Sequence, residues 1–402
     1  MLKAYKTEIN PTKEQIKKIN QSIGICRWLY NSYLAKNQEL YKAFKEGVIG
    51  KKQANISAYD FDKYINNEVK IRDEYSWINN CGSKARKKAI CNAEIAYKRF
   101  FKNQSKFPRF KKKNKQDVKL YFPKNAKNDW YRERHFIQIP TIGKVRLKEK
   151  GYIPTKKAVV SGTVSKKANR YYVSVLINED IETNSQNNSI DGIGIDLGLK
   201  NLAICSNEKV FKNINKTHLI KKLEKKLKRE QRKLSRRYES LKVRKSIQYG
   251  YENIKEGRAT RQNIQKQIAI VQNIHQKLTN IRTDYINKTV NEIVKQNPSY
   301  ITIEDLNISG MMKNKHLSKA IANQKLYEFK SKLSYKCIEN NIELRVVDRW
   351  FPSSKICSNC GNINKNLKLS DRIYNCSCGL QIDRDLNASI NLKNAKIYKI
   401  AQ

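Results

Sequence analysis

Three carboxylates stand where apolar runs stop, and their placement is the first chemical feature of the chain. Gly192-Ile193-Gly194-Ile195-Asp196-Leu197-Gly198-Leu199 ends a strand-like run on Asp196, between glycines that let backbone turn closely. Ser299-Tyr300-Ile301-Thr302-Ile303-Glu304-Asp305-Leu306 repeats the arrangement, with Glu304 where the alternation ends. Asp383-Arg384-Asp385-Leu386-Asn387 puts acids at the start of a helix, where capping is their ordinary use. Each alone reads as a cap or turn residue. As a set they offer what phosphodiester hydrolysis by a two-metal mechanism needs, several carboxylates converging on divalent cations about 3.5–4 Å apart. Mg²⁺ suits such a set, because it prefers oxygen ligands and binds through few carboxylates plus substrate phosphates. The acids lie far apart in sequence, so only a fold can bring them together.

A second cluster is built from sulfur. Cys357-Ser358-Asn359-Cys360-Gly361 and Cys376-Ser377-Cys378-Gly379 are two cysteine pairs, each followed by glycine, with 15 residues between them. Two such turns brought face to face make a Cys₄ tetrahedral zinc site, and the glycines permit the tight backbone. The second pair is C-x-C where C-x-x-C is commoner. With four thiolates and no open position, the zinc is expected to be structural, holding a small ribbon that has little apolar surface to bury. Cys26, Cys81, Cys91, Cys205 and Cys337 are scattered singly. That pattern fits a reducing compartment rather than a disulfide framework, and the expected location is the cytoplasm.

The elements that must position these groups belong to a strongly basic chain. It has 402 residues, with 83 Lys+Arg against 36 Asp+Glu, a net charge of +47, and a hydrophobic fraction of 39%. That balance excludes a membrane protein and an ordinary metabolic enzyme, and it calls for a polyanionic partner, nucleic acid first. No apolar run approaches the roughly 20 residues a spanning helix needs, and Met1-Leu2-Lys3-Ala4-Tyr5-Lys6 lacks a signal-peptide core. The 22 Tyr, 11 Phe and 4 Trp supply cores, so the chain is no disordered basic tail. Binding through many phosphates would weaken steeply with salt.

Helical spacing over 12–46 and 83–103, with strand patterns at 136–139 and 170–177, predicts a first half in which a β-unit carries helices. The polar run 182–189 reads as a linker. Strands are then expected at 192–196, 299–304 and 342–348, with a helix over 322–341. No proline falls between 155 and 297, which permits long helices there. Leu227, Leu234 and Leu241 recur every seven positions, and Ile264, Ile268, Val271, Ile274, Leu278, Ile281 and Tyr285 form a second periodic run. These predict an antiparallel helical pair over 215–297, broken around Gly250 and Gly257. Residues 221–245 hold 13 Lys+Arg and 3 Glu, an excess that marks either a solvated face or a phosphate-tracking one.

In order along the chain, these motifs resemble the TnpB family of insertion-sequence-encoded, RNA-guided nucleases, which is related to the miniature type V CRISPR effectors. The resemblance rests on Gly24-Ile25-Cys26-Arg27-Trp28-Leu29-Tyr30-Asn31, Lys106-Phe107-Pro108-Arg109-Phe110-Lys111, Ile139-Pro140-Thr141-Ile142-Gly143-Lys144-Val145, Glu304-Asp305-Leu306-Asn307, His316-Leu317-Ser318-Lys319-Ala320-Ile321, and the cysteine ribbon placed just before Asp383-Arg384-Asp385. It implies an α+β multidomain fold. An N-terminal β-barrel over 1–182 would carry a helical recognition insertion at about 11–104, followed by a linker at 183–191. A RuvC-like nuclease domain of the RNase H fold would span 192–350, be interrupted by the zinc ribbon at 351–381, and finish over 382–402. Carried over residue by residue, the catalytic, Mg²⁺-binding positions are Asp196, Glu304 and Asp385. Asp385 is preferred to Asp383 because the family's acid lies two residues before an Asn, here Asn387. The partners implied are a guide RNA and double-stranded target DNA. Arg27, Arg109, Lys111 and Lys112 are the expected nucleic-acid contacts, while Trp28 and Tyr30 read as core. Some relatives that lack the acids act as DNA-binding repressors. A non-cleaving regulator and an accessory transposase are therefore the alternative readings.

Overall fold

In a computed structural model, residues 2–113, 118–126, 128–179, 191–248, 260–368 and 370–401 are described, with backbone alone for 242–248. The chain divides into two units, Met1–Asp180 and Ile181–Gln402. The polar run 182–189 and the glycines at 250 and 257 lie outside the described residues.

The first unit begins with β1 (Leu2–Asn10), followed by α1 (Lys13–Lys45), α2 (Ala58–Tyr64) and α3 (Ser83–Phe101). Thr12 starts α1 through a capping box with Gln15, which satisfies donors the first turn cannot. Then come β2 (Leu120–Pro123), β3 (Phe136–Ile139), β4 (Gly143–Leu147), β5 (Val159–Lys167) and β6 (Arg170–Asn178). All pairings are antiparallel, in the order β2-β5-β6-β1-β4-β3. Alternation in β6 buries Tyr171, Val173, Val175 and Ile177 on one face, as a one-sided sheet requires. The three helices thus fall between β1 and β2 in the chain, and α1 packs on α3.

The second unit contains β7 (Ile193–Leu197), β8 (Asn201–Cys205), β9 (Val210–Lys212), α4 (His218–Gln248), α5 (Arg261–Val294) and β10 (Tyr300–Glu304). It continues through α6 (Ile308–Met311), α7 (Ser318–Gln324), α8 (Leu326–Glu339), β11 (Glu343–Val347), β12 (Ile373–Asn375), β13 (Gln381–Asp383), α9 (Arg384–Lys393) and β14 (Lys399–Ile400). The main sheet runs β14-β11-β10-β7-β8-β9, and β10 is parallel to both β7 and β11. Ile193, Ile195, Ile301, Ile303 and Leu344 turn to one face, where Ile286, Val290 and Ile293 of α5 and Phe329 and Leu333 of α8 cover them. By strand alternation Gly194, Asp196, Thr302 and Glu304 turn to the other face. There α9 contacts β7 and β10.

The expected helix over 322–341 is two helices. Lys325 takes a left-handed conformation (φ 57°) between α7 and α8, and its ammonium donates to Thr283 and Glu328. No sequence pattern marks that break, because Lys is an ordinary helix former and its placement depends on partners distant in sequence. The pair α4 and α5 is antiparallel. Glu224 meets Arg282 at 2.8 Å, Glu230 meets Gln267, and Arg237 donates to the Asn263 carbonyl. Ile220, Ile274 and Leu278 form the seam.

Candidate active site and metal centre

The carboxylate cluster is assembled by strand register and one close helix approach. Ile303 of β10 lies opposite Ile195 of β7, so the next step of the register sets Glu304 beside Asp196. Both project to the α9 face. A Cβ on Gly194 would meet the Ser389 carbonyl oxygen at 1.9 Å and the Lys393 nitrogen at 2.4 Å, so α9 lies directly on the β7 backbone there. Moving two residues along β7 reaches Asp196, and moving one turn back along α9 from Ser389 reaches Asp385. Asp383 caps that helix, its Oδ1 accepting from the Asp385 and Leu386 N–H groups at 2.9 and 3.1 Å.

The electrostatics record the convergence. Burial, then the charges of Asp385 and Glu304, push the Asp196 carboxyl up to about 7, with Arg384 opposing them. Burial raises Glu304 as well, with adjacent Asp305 adding to it. Such mutual repulsion among buried acids is what a multivalent cation relieves. Arg384 pairs with Asp385 at 3.2 Å and opposes the rise at Asp196. Arg384 lies between Asp383 and Asp385, a placement visible in the sequence. Asp305 has a different task. Its pKa is held down by the hydrogen bond from Lys330 and by Arg349, at 2.9 and 3.4 Å.

The sulfur cluster also closes. The Sγ atoms of Cys357, Cys360, Cys376 and Cys378 all lie within 4.8 Å of one another, with 3.7 Å between Cys357 and Cys378 and 3.5 Å between Cys360 and Cys376. Four thiolates around a tetrahedral zinc at about 2.3 Å stand roughly 3.8 Å apart, so the spacing fits that ion. The knuckles turn at Gly361 and Gly379, whose positive φ of 76° and 89° disfavours any side chain. The Leu380 N–H, donating to Cys378, leads the effects that hold its thiol down at about 6. Two asparagines tie this centre to the acids. Asn387 Nδ2 donates to the Ile356 carbonyl at 2.7 Å and its Oδ1 accepts from the Ser358 N–H at 3.0 Å. Asn391 Nδ2 donates to the carbonyls of Ser353 and Ile356. The helix that carries Asp385 therefore also carries the first cysteine knuckle.

Of the expected nucleic-acid contacts, Arg109 and Lys112 are exposed and Arg27 is half-buried. Lys111 is drawn inward. Its ammonium lies 3.9 Å from the centroid of the Tyr30 ring, desolvation lowers its pKa, and its backbone exchanges hydrogen bonds with the Asn31 side chain. It fastens its segment to α1. Tyr30 is buried, and Trp28 packs against Tyr75 and Trp77. Cys26 and Cys81, read as isolated, meet as buried thiols with 3.8 Å between their sulfurs. One basic surface was legible as a charge run. His218, Lys221, Lys222, Lys225, Lys226 and Arg229 line one face of α4.

These features define an α+β protein in which a parallel strand pair presents clustered carboxylates and a four-cysteine centre is fastened to the same helix. Three family models match successive stretches: a helix-turn-helix domain over 1–46, a "Probable transposase" over 172–315, and a Cas12f1-like TNB domain over 327–392. Together these stretches are similar to the TnpB family. Residues 1–46 here form one strand and one long helix rather than a helix-turn-helix. A relative from Streptomyces pristinaespiralis, named "Putative RNA-guided DNA endonuclease", is 27% identical over 97% of this chain and 88% of its own length. The InsQ relative of Escherichia coli K12, which bears the same description, is 29% identical over 97% of this chain and 91% of its own. The solved Cas12f1-sgRNA-target DNA complex is 16% identical with a TM-score of 0.36, over 99% of this chain and 100% of that one, a likeness that fixes no detail of the site. Among the described residues no helix is long and apolar enough to cross a membrane.

Proposed function

We propose that the protein is an RNA-guided DNA endonuclease that hydrolyses phosphodiester bonds at Asp196, Glu304 and Asp385, in a RuvC-like domain of the RNase H fold. The observation that carries this reading is the convergence of the acids: burial first, then the charges of Asp385 and Glu304, push the Asp196 carboxyl up to about 7. A half-buried all-oxygen donor set of this kind fits Mg²⁺. When bound there, the cations would supply water activation and stabilisation of the leaving oxygen. The chain's own part is to hold the three carboxylates on rigid elements, to moderate their charge with Arg384, and to keep Asp385 in place through the Asp383 cap. Zinc at the four cysteines would be structural.

The division proposed is a barrel-like region at 1–182 with recognition helices at about 11–104, a linker at 183–191, nuclease segments at 192–350 and 382–402, and the zinc ribbon at 351–381. A guide RNA would read sequence by pairing, while the protein grips backbones and a short DNA motif. Arg27, Arg109, Lys112 and the basic face of α4 are the surfaces offered for that grip. A chromosomal target places the activity in the bacterial cytoplasm. The test is co-expression with the native flanking DNA, sequencing of the RNA that co-purifies, and cleavage of a matched target. Asp196→Ala should abolish cleavage and retain the RNA. Equal loss of both would overturn the assignment of Asp196.

A further inference from the structure

Trp350 is 85% exposed, although it sits on an ordered turn. Its N–H donates to Asp348 Oδ1 at 2.9 Å, and the Phe351 N–H donates to the Asp348 carbonyl at 3.0 Å. Phe351 packs inward against Val347 and Leu392, so the turn presents one ring to the interior and the next to solvent. The turn is also fastened to the strand that bears Glu304. Val347 pairs with Glu304 in the β10–β11 register, Asp305 N–H donates to the Val347 carbonyl at 2.9 Å, and Arg349 meets Asp305 at 3.4 Å. Neighbouring strands lie about 4.8 Å apart and three residues reach at most about 11 Å, so the Trp350 and Glu304 Cα atoms are within roughly 16 Å.

The surroundings have the chemistry of a single-strand platform. On α8, Tyr327 is 72% exposed and lies one turn before Lys330, which holds the other side of Asp305. Two exposed aromatic rings and two cations therefore flank the end of the strand that carries Glu304. An isolated exposed tryptophan needs no explanation, but one on a turn held by backbone hydrogen bonds, beside cations and clustered acids, matches how unpaired bases are held, by stacking on a ring while cations follow the backbone.

Resting on the endonuclease reading above, we propose that Trp350 stacks on an unpaired base of the DNA strand being cut, a few nucleotides from the bond that breaks, with Arg349 and Lys330 facing the backbone. It acts as a positioning residue for the strand end. Base–aromatic stacking contributes about 1–3 kcal/mol, which converts to roughly a 5- to 150-fold effect.

The test uses the full chain with its co-purified RNA, in two measurements. In the first, single-stranded DNA carrying 2-aminopurine, walked along the strand, should be quenched at one position by the wild type. The quenching should be lost in Trp350→Ala and retained in Trp350→Phe, with thermal stability unchanged in both because the ring is exposed. In the second, an abasic nucleotide at that position should slow cleavage by the wild type at least five-fold and cost Trp350→Ala nothing further. Quenching that survives Trp350→Ala, or an abasic effect equal in both proteins, overturns the proposal. If the wild type cleaves no target while the quenching still depends on Trp350, the endonuclease reading falls and the stacking site stands.

Discussion

Gly194 is the position where one added methyl group should separate the acids without touching any of them. A Cβ there would sit 1.9 Å from the Ser389 carbonyl oxygen, 2.4 Å from the Lys393 nitrogen and 3.0 Å from the Lys393 Cα, all backbone atoms of α9. No rotamer relieves such a clash. Moving from 1.9 Å to the 3.4 Å of ordinary contact requires α9 to retreat by about 1.5 Å, or β7 to give way. Because Asp385 opens α9 and Asp196 follows Gly194 on β7, the retreat opens the carboxylate cluster directly. Overpacking of this kind costs about 1–3 kcal/mol of stability, and misplacing a reacting group by about 1 Å can cost on the order of a hundred-fold in rate. Gly194→Ala should therefore lower Tm by several degrees and cleavage by about a hundred-fold or more, while guide RNA remains bound. The assay is single-turnover cleavage of a matched target beside a thermal melt. A variant that melts and cleaves like the wild type would show that α9 does not depend on that contact and would refute the reasoning.

Two further outcomes follow from the same geometry. The folded state favours the protonated form of Asp196. The stability this contributes is fully present below the side chain's ordinary value of 3.8 and is lost as pH rises through about 7, a change on the order of 4 kcal/mol. In magnesium-free buffer, Asp196→Asn should melt modestly above the wild type at pH 5 and further above it at pH 8, and added Mg²⁺ should stabilise the wild type but not the variant; an equal gap at the two pH values would contradict the clustering. Metal analysis should find one zinc per chain, and Cys378→Ser should lose it. Because Asn387 and Asn391 bind the first knuckle to α9, that variant should also cleave at least ten-fold more slowly. Full activity without zinc would separate the two centres.

Much of this protein was legible in its residues because the signals were local. The acids ending β7 and β10 interrupt clear apolar alternation, so Asp196 and Glu304 could be singled out without coordinates. Cysteine spacing and following glycines specify two knuckles, since the ligand turn is only a few residues long. The runs through Ile274 and Leu278 and the basic face of α4 are periodic features of single helices, and the observed antiparallel pair follows them.

What the tertiary structure decided is where distant residues meet. The choice between cap and cluster for Asp383 and Asp385 depended on α9 lying across Gly194, a contact made by residues nearly 200 positions away. Lys325 breaks a helix for the sake of Thr283 and Glu328, and Lys111 leaves solvent for the Tyr30 ring. Neither is written in local propensity. Arg384 gains its meaning only when Asp196 is brought within reach of its charge, and Asn387 only when a cysteine knuckle rests on it. Chain pattern fixes which groups an element presents. The free energy of a buried charge, or of a backbone in van der Waals contact, depends on what stands opposite, and that is a property of the folded chain alone.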